Sequence, residues 1–108
     1  MQLLLEGAYL HFFPDLRAHI ERRLERALNP LKQPEPRATV RLSGKRSWRC
    51  QVRLQIPGLK SVAVEATRSL PSDAIDGAME QLVPSLLRAL DAKQHFRRRT
   101  ISKKGLPT

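Results

Sequence analysis

The chain has 108 residues, which suits one domain, and its single cysteine excludes an intramolecular disulfide and a cysteine-based zinc site. Its formal net charge is +10, and two segments without acidic residues hold the excess: residues 37–60 with seven basic residues and residues 93–108 with six. Such a charge distribution favours a polyanionic partner such as nucleic acid.

The first third of the chain predicts a strand followed by a helix. Residues 1–6 alternate in hydropathy as a strand does, and residues 7–13 are predicted to form a connection. Pro14 suits a helix start, and Pro30 follows the predicted helix end. The apolar residues at helical spacing between them are Leu16, Ile20, Leu24, Ala27 and Leu28. Residues 30–36, with three prolines, predict a stiff linker within the domain.

The middle of the chain predicts three strands. Residues 37–43 and 48–56 alternate between apolar and polar side chains, and a turn at residues 43–47 makes them a hairpin. Residues 61–66 predict a further strand after the turn at Pro57. The side chains predicted to face the core are Ala38, Val40, Leu42, Trp48, Cys50, Val52, Leu54, Ile56, Val62, Val64 and Ala66.

The last predicted element is a long amphipathic helix that starts in residues 69–72, with Pro84 expected to kink or weaken it. Its apolar residues are Ile75, Met79, Leu82, Leu86 and Leu90. The element order is β-α-β-β-β-α, which predicts an α+β fold: a four-stranded mixed sheet with two helices packed on one face. We expect this domain to span residues 1–94 and a basic, flexible tail to span residues 95–108.

The central hairpin is the first candidate site. A turn centred near Lys45 predicts that Arg41 lies opposite Arg49 and that Arg37 lies opposite Arg53, all on the exposed face. Like-charge pairs of this kind are mildly destabilising unless an anion lies over them, and guanidinium groups bind phosphate oxygens in bidentate fashion. The alternative is that the four arginines only point into water.

The first helix and the tail supply further cations. Arg22 and Arg26 lie one turn apart on the helix, although such residues on their own usually form a solvated face. The tail stretch HFRRRTISKK resembles an arm that follows phosphates, with Phe96 able to stack on a base. A tail that adds only non-specific affinity is the alternative.

No residue set points to catalysis. His11, His19 and His95 lie far apart in the chain and lack metal-ligand spacing, and Cys50 alternates with apolar residues as a core thiol does. None of the five glycines forms a phosphate-cradling loop. We therefore expect a protein that is not an enzyme, with no cofactor, metal or small-molecule substrate.

The N-terminus has no basic region before its short apolar run. We therefore expect neither a signal peptide nor a transmembrane helix, and we predict a cytoplasmic protein without a membrane partner. A single cysteine is consistent with a reducing compartment. The sequence does not determine the oligomeric state, and our working expectation is a monomer.

Several short motifs, in this order and spacing, resemble the family of ribosome hibernation-promoting factors, which includes ribosome-associated inhibitor A (protein Y). The resemblance covers about residues 1–95 and is most like the divergent short members that end in an arginine-rich tail. The motifs are the initial MQL, Gly7, Leu16-Arg17 with Ile20 and Leu24, the stretch RCQVRL, Ala74-Ile75-Asp76-Gly77 with Leu82 and Leu86, and the RRRT of the tail.

This resemblance implies a domain related to double-stranded-RNA-binding folds that binds the small ribosomal subunit in the channel used by messenger RNA and transfer RNA. It implies inhibition of translation in stressed or stationary cells by occlusion of that channel. Gln81 and Pro84 stand where the second helix of the family usually has lysine or arginine. We consider two consequences. Either the basic hairpin and tail replace those contacts, or the protein binds a different RNA.

Taken together, the sequence predicts a non-enzymatic, ribosome-associated factor that binds ribosomal RNA. Two alternatives stay open, namely a general RNA-binding module that is not devoted to ribosomes and a protein-interaction module with a basic tail. The predicted RNA-binding residues are Arg22, Arg26, Arg37, Arg41, Lys45, Arg46, Arg49, Arg53, Arg88, Lys93, Arg97, Arg98 and Arg99.

Overall fold

The computed structural model describes residues 2–31 and 35–105, with the side chains of residue 31 and residues 92–105 excepted. Its elements are β1 (Gln2–Glu6), α1 (Ala8–Phe12), α2 (Pro14–Leu28), a 3₁₀ turn (Asn29–Leu31), β2 (Arg37–Gly44), β3 (Trp48–Gln55), β4 (Val62–Arg68) and α3 (Pro71–Gly105). The predicted element order is confirmed, with α1 as an addition. The sequence predicted residues 7–13 as a connection because five helical residues are too few to show a periodicity.

The four strands form one mixed sheet in the order β1-β2-β3-β4. β1 pairs with β2 in parallel, and the other two pairings are antiparallel. The parallel pair follows from the crossover through α2, which returns the chain to the same end of the sheet. This confirms the predicted α+β fold class.

One face of the sheet is covered by helices and forms the core. Ile20 and Leu24 of α2 and Ile75 and Leu82 of α3 are completely buried there. The alternate residues of the strands meet them, as the period of two predicted; the buried strand residues are Ala38, Val40, Leu42, Cys50, Val52, Leu54, Val62, Val64 and Ala66. Trp48, also predicted to face the core, is only partly buried at its edge.

Gly77 explains how closely α3 approaches β4. A Cβ atom at this position would lie 2.9 Å from the Cβ of Ala66 and 3.1 Å from a guanidinium nitrogen of Arg68. A side chain at residue 77 would therefore push the helix away from the strand. The Ala-Ile-Asp-Gly motif noted in the sequence thus has a packing role: its first two residues are buried, and its glycine permits the contact.

α3 continues through Pro84 to Gly105. The proline therefore does not end the helix, although it has no N–H to donate to the carbonyl of Glu80. The predicted boundary between residues 94 and 95 falls inside α3, so the structure describes a helical backbone where a flexible tail was expected. The division into a domain and a tail stays a prediction.

The register of the β2–β3 hairpin corrects the predicted one. Arg41 lies opposite Gln51, and Arg37 lies opposite Gln55. The turn is centred on Arg46, one residue later than predicted, since the last strand pair is Gly44 with Trp48 and Lys45 N–H donates to the Ser47 carbonyl. A shift of one residue in the turn centre moves every cross-strand partner by two, which removes the predicted arginine–arginine pairs.

The Cys50 thiol lies in the core, and this gives a direct chemical test of the strand assignment. The side chain is fully buried, and desolvation raises its pKa to about 12. Because the thiolate is the reactive form, we expect a native protein at pH 8 to react with a thiol reagent only through unfolding. The measurement is the labelling rate with and without guanidinium chloride; rapid labelling of the native protein would contradict the core position of Cys50.

Candidate nucleic-acid interface

The sheet face opposite the helices is exposed and basic. Strand alternation directs Arg37 and Arg41 of β2 and Arg49 and Arg53 of β3 to this face, and all four side chains are exposed. We call this surface the open sheet face and define it by these four arginines. The sequence predicted that they share one face, and the structure places them together.

The observed register staggers the four charges. Arg53 lies opposite Thr39, and Arg49 lies opposite Ser43, so each arginine faces a polar neutral residue across the β2–β3 ladder. Diagonal neighbours in a sheet are about 7–8 Å apart, which is close to the spacing of successive phosphates on a nucleic-acid strand. The stagger therefore presents separate guanidinium groups to a polyanion instead of directly opposed, repelling pairs.

Two carboxylates on the same face were not predicted. Arg49 donates to Glu65 of β4 with a nitrogen–oxygen distance of 2.7 Å, and Gln51 donates to the same oxygen at 3.2 Å. Glu6 of β1 lies 3.9 Å from the guanidinium of Arg41. The outward position of Glu65 follows from the alternation of β4, but its pairing with Arg49 depends on a register that the sequence does not show.

The pair between Glu65 and Arg49 makes a testable prediction about pH. The hydrogen bond that the Glu65 carboxylate accepts from Arg49 holds the pKa of Glu65 below the ordinary 4.5, and the bond from Gln51 adds a smaller effect in the same direction. Any stability that the pair contributes is present above pH 4.5 and is lost as the pH falls through the lowered pKa. We expect Arg49→Gln to raise the pKa of Glu65 toward 4.5, and Arg53→Gln to leave it low. NMR titration of the carboxyl group measures both, and an ordinary pKa in the unmodified protein would contradict the pairing.

A shallow concavity of about 660 Å³ lies over the middle of the open sheet face. Arg41 and Arg53 line it together with the small residues Thr39 and Ala63, and the two glutamates stand at its sides. Thr39 and Ala63 are the cross-strand neighbours of Arg53 on its two sides, and their small side chains leave its guanidinium accessible from above. Such a surface suits a phosphate-bearing ligand that lies along the strands.

The other predicted basic residues lie elsewhere. Lys45 and Arg46 are exposed at the β2–β3 turn, at one end of the open sheet face. Arg22 and Arg26 are exposed on α2, in the helical layer on the opposite side of the sheet. The structure therefore does not bring the α2 arginines onto the open sheet face.

The predicted basic residues of α3 divide into two groups. The guanidinium of Arg88 is exposed and donates to its own helix, to the Pro84 carbonyl at 3.4 Å and to Ser85 Oγ at 3.3 Å. The side chains of Lys93, Arg97, Arg98 and Arg99 lie outside the described residues. Their role in RNA binding stays a prediction.

A polar cluster in the helical layer was also not predicted. His19 of α2 donates from Nε2 to Oδ1 of Asp76 on α3 over 2.6 Å, and Arg23 Nε lies 3.6 Å from the same oxygen. In the sequence, Asp76 was noted as part of the Ala-Ile-Asp-Gly motif. The cluster joins α2 to α3, so these polar side chains contact each other between the two helices and are not directed at a ligand.

Neither metal-binding nor membrane-spanning features are present in the part of the chain that the structure describes. Among the described side chains, those of residues 2–30 and 35–91, no group of three or more histidine, cysteine, aspartate or glutamate residues is arranged to hold a metal ion. In residues 2–31 and 35–105, whose backbone the structure describes, every helix is too short or too polar to traverse a bilayer.

Comparison with solved structures first defines the class of fold. No family model matches the sequence, and no curated protein matches it. A ribosomal subunit interface protein from Coxiella burnetii superimposes with a TM-score of 0.61 at 18% identity, over 87% of this chain and 99% of that one. This similarity shows the fold alone.

A second structure identifies the relationship more closely. The N-terminal domain of protein Y from Thermus thermophilus superimposes with a TM-score of 0.70 at 28% sequence identity. The match covers 82% of this chain and 98% of the protein Y domain. The resemblance to the hibernation-factor family, predicted from short motifs, is therefore confirmed over most of the chain.

Proposed function

We propose that this chain is a ribosome-associated factor that binds the small subunit in the channel for messenger RNA and transfer RNA and thereby inhibits translation. The observation that supports this most directly is the similarity to nearly the whole N-terminal domain of protein Y. Binding and occlusion suffice for this activity, so the protein acts without catalysis. Stress or stationary phase is the condition in which we expect it to act.

The open sheet face is the proposed contact with ribosomal RNA. It presents four arginines against two glutamates, and Arg37 and Arg53 have no carboxylate within salt-bridge distance among the described residues. Phosphate neutralisation by such groups supplies affinity that does not depend on base sequence. Lys45 and Arg46 extend the positive surface at the turn.

A second candidate function, a general RNA-binding module, is favoured by the exposed side of α3. Gln81, at a position where the family resemblance leads us to expect a cation, donates to the Glu65 carbonyl at 3.0 Å and thus contacts β4. If α3 does not contact the ribosome, the open sheet face is still available to bind other RNA. Ribosome specificity separates the two candidates.

The arginines at residues 97–99 are proposed as an auxiliary arm that adds phosphate contacts to those of the folded domain. Changing all three to glutamine in the full chain removes three charges from this segment alone. If the arm contributes, the dependence of small-subunit binding on salt becomes shallower, by roughly 0.7–0.9 in log–log slope for each phosphate that the arginines neutralise. An unchanged slope would assign the entire interface to the folded domain.

The test of the proposed function is competition on the small subunit. We expect the protein to bind purified small subunits near one-to-one, to be displaced by transfer RNA with messenger RNA, and to inhibit translation in a reconstituted system. A double-stranded RNA of equal mass is the control competitor. Equal displacement by that control, together with undiminished translation, would favour the general RNA-binding module.

A further inference from the structure

Among the described residues, Tyr9, Phe13 and Trp48 form a cluster of aromatic rings near the surface. The ring of Tyr9 in α1 stacks on that of Phe13 with centroids 4.2 Å apart and an angle of 25°, and it contacts the ring of Trp48 in β3 at 4.4 Å and 49°. Phe12, the last residue of α1, precedes Phe13 in the chain, and its ring lies edge-on to that of His11. We call Tyr9, Phe12, Phe13 and Trp48 the aromatic shelf. It contains four of the five aromatic residues in the chain.

These rings are not used to fill the core. Every fully buried large side chain among the described residues is aliphatic or the cysteine. Phe12 is 74% exposed and Phe13 is 45% exposed, while Tyr9 and Trp48 are partly buried and hold the shelf in place. Exposure of neighbouring aromatic rings to water is unfavourable in free energy. Because these rings do not fill the core, their position points to a ligand.

The shelf lies beside cations and adjoins the open sheet face. A cavity of about 440 Å³ is lined by Tyr9 and Trp48 and by Arg41 and Glu6, the two residues that also line the concavity over the sheet. In the sheet, Trp48 pairs with Arg68 on its other side. The cavity lining holds one cation, Arg41, and one carboxylate, Glu6. Lys45 and Arg46 are exposed in the turn that precedes Trp48.

We propose that the aromatic shelf is a stacking site for unpaired nucleobases of the RNA whose phosphates lie on the open sheet face. The shared Arg41 makes the two surfaces continuous, so one strand can place its phosphates on the arginines and a base against the rings. Stacking on an aromatic side chain tolerates any base, because every base has a π face. The inference rests on the proposed function for its RNA ligand and extends the contact from phosphates to bases.

The cationic surroundings favour RNA over an apolar protein partner. A protein interface centred on these rings would have to desolvate Arg41 and the turn cations, at a cost unless acidic groups meet them. An RNA strand supplies both the anion and the planar apolar surface in one ligand. Trp48 is the only tryptophan of the chain, and its fluorescence therefore reports on the shelf alone.

The test uses the full chain and three probes: a ten-nucleotide oligoadenylate, the matching abasic oligomer, and a duplex RNA of the same length. We expect oligoadenylate to quench Trp48 and to bind about tenfold more tightly than the abasic and duplex probes. The variant Phe12→Leu with Phe13→Leu keeps apolar side chains but removes two rings. It should bind oligoadenylate about as weakly as the abasic oligomer.

The control is Leu87→Ala, which changes an exposed apolar residue about four turns into α3, away from the shelf. It should bind all probes as the unmodified chain does, and thermal melting should show that both variants fold. Equal affinity of the unmodified chain for oligoadenylate and the abasic oligomer, or retained oligoadenylate affinity in the phenylalanine variant, overturns the inference.

The same samples separate this inference from the proposed function. Base-dependent binding of oligoadenylate without binding to small subunits supports the shelf and contradicts the proposed function. Tight binding to small subunits with no discrimination between the oligoadenylate and abasic probes overturns the shelf and leaves the proposed function standing.

Discussion

Replacing Arg37, Arg41 and Arg53 with glutamine is expected to lower the affinity for small ribosomal subunits by about a hundredfold or more at moderate salt. Each guanidinium is proposed to bind one phosphate, and a charge-assisted hydrogen bond of this kind contributes about 1.5–3 kcal/mol. The salt slope should become shallower by about two to three. Arg49 is left unchanged because its guanidinium is already paired with Glu65. Cosedimentation over a salt series measures both quantities.

The control for this prediction removes the same charge from the opposite side of the molecule. Arg17, Arg22 and Arg26 are exposed on α2, and their replacement with glutamine also lowers the net charge by three. We expect only a small decrease in affinity, since these residues act through the long-range field alone. Equal decreases in the two triple variants would show that net charge, and not the open sheet face, determines binding.

The second large effect is on stability and concerns Gly7. Its φ of 119° is in a region that side chains rarely adopt, and a Cβ atom there would lie 2.2 Å from the Leu42 carbonyl oxygen. Because that oxygen belongs to the backbone of a core strand, it cannot rotate away. We expect Gly7→Ala to lower the free energy of unfolding by about 3 kcal/mol or more. Urea denaturation measures this change.

Gly58→Ala is the matched control for backbone strain. Gly58 also has a positive φ, of 84°, in the turn between β3 and β4. Its replacement should cost about 1–2 kcal/mol, the usual penalty for a left-handed residue. Equal destabilisation of both variants would mean that the close approach of Gly7 to Leu42 has no energetic consequence. That result would contradict the tight packing of the β1–α1 turn against β2.

The strands were predictable because one face of the sheet is buried. A period of two in residues 37–56 leaves a single assignment of inward and outward side chains, and the structure confirms it for Val40, Val52 and Leu54. The register of the hairpin was not predictable in the same way. A turn centred one residue later keeps every side chain on its face while it changes every partner, so hydropathy cannot distinguish the two.

The charges show the same division between local and long-range information. The sequence places Arg41 and Arg49 on one face, but their proximity to Glu6 and Glu65 depends on pairings between strands that are distant in the chain. The contact of His19 with Asp76 joins residues 57 positions apart and depends on how two helices pack. No periodicity within either helix indicates such a contact.

The central claim is that the open sheet face binds ribosomal RNA in the channel of the small subunit. An electron cryomicroscopy reconstruction of purified small subunits saturated with the full chain tests it most directly. We expect the domain to lie in that channel with β2 and β3 against ribosomal RNA and with α2 directed away from it. A domain bound outside the channel, or one whose helical layer contacts the RNA while the four arginines face solvent, would contradict the claim.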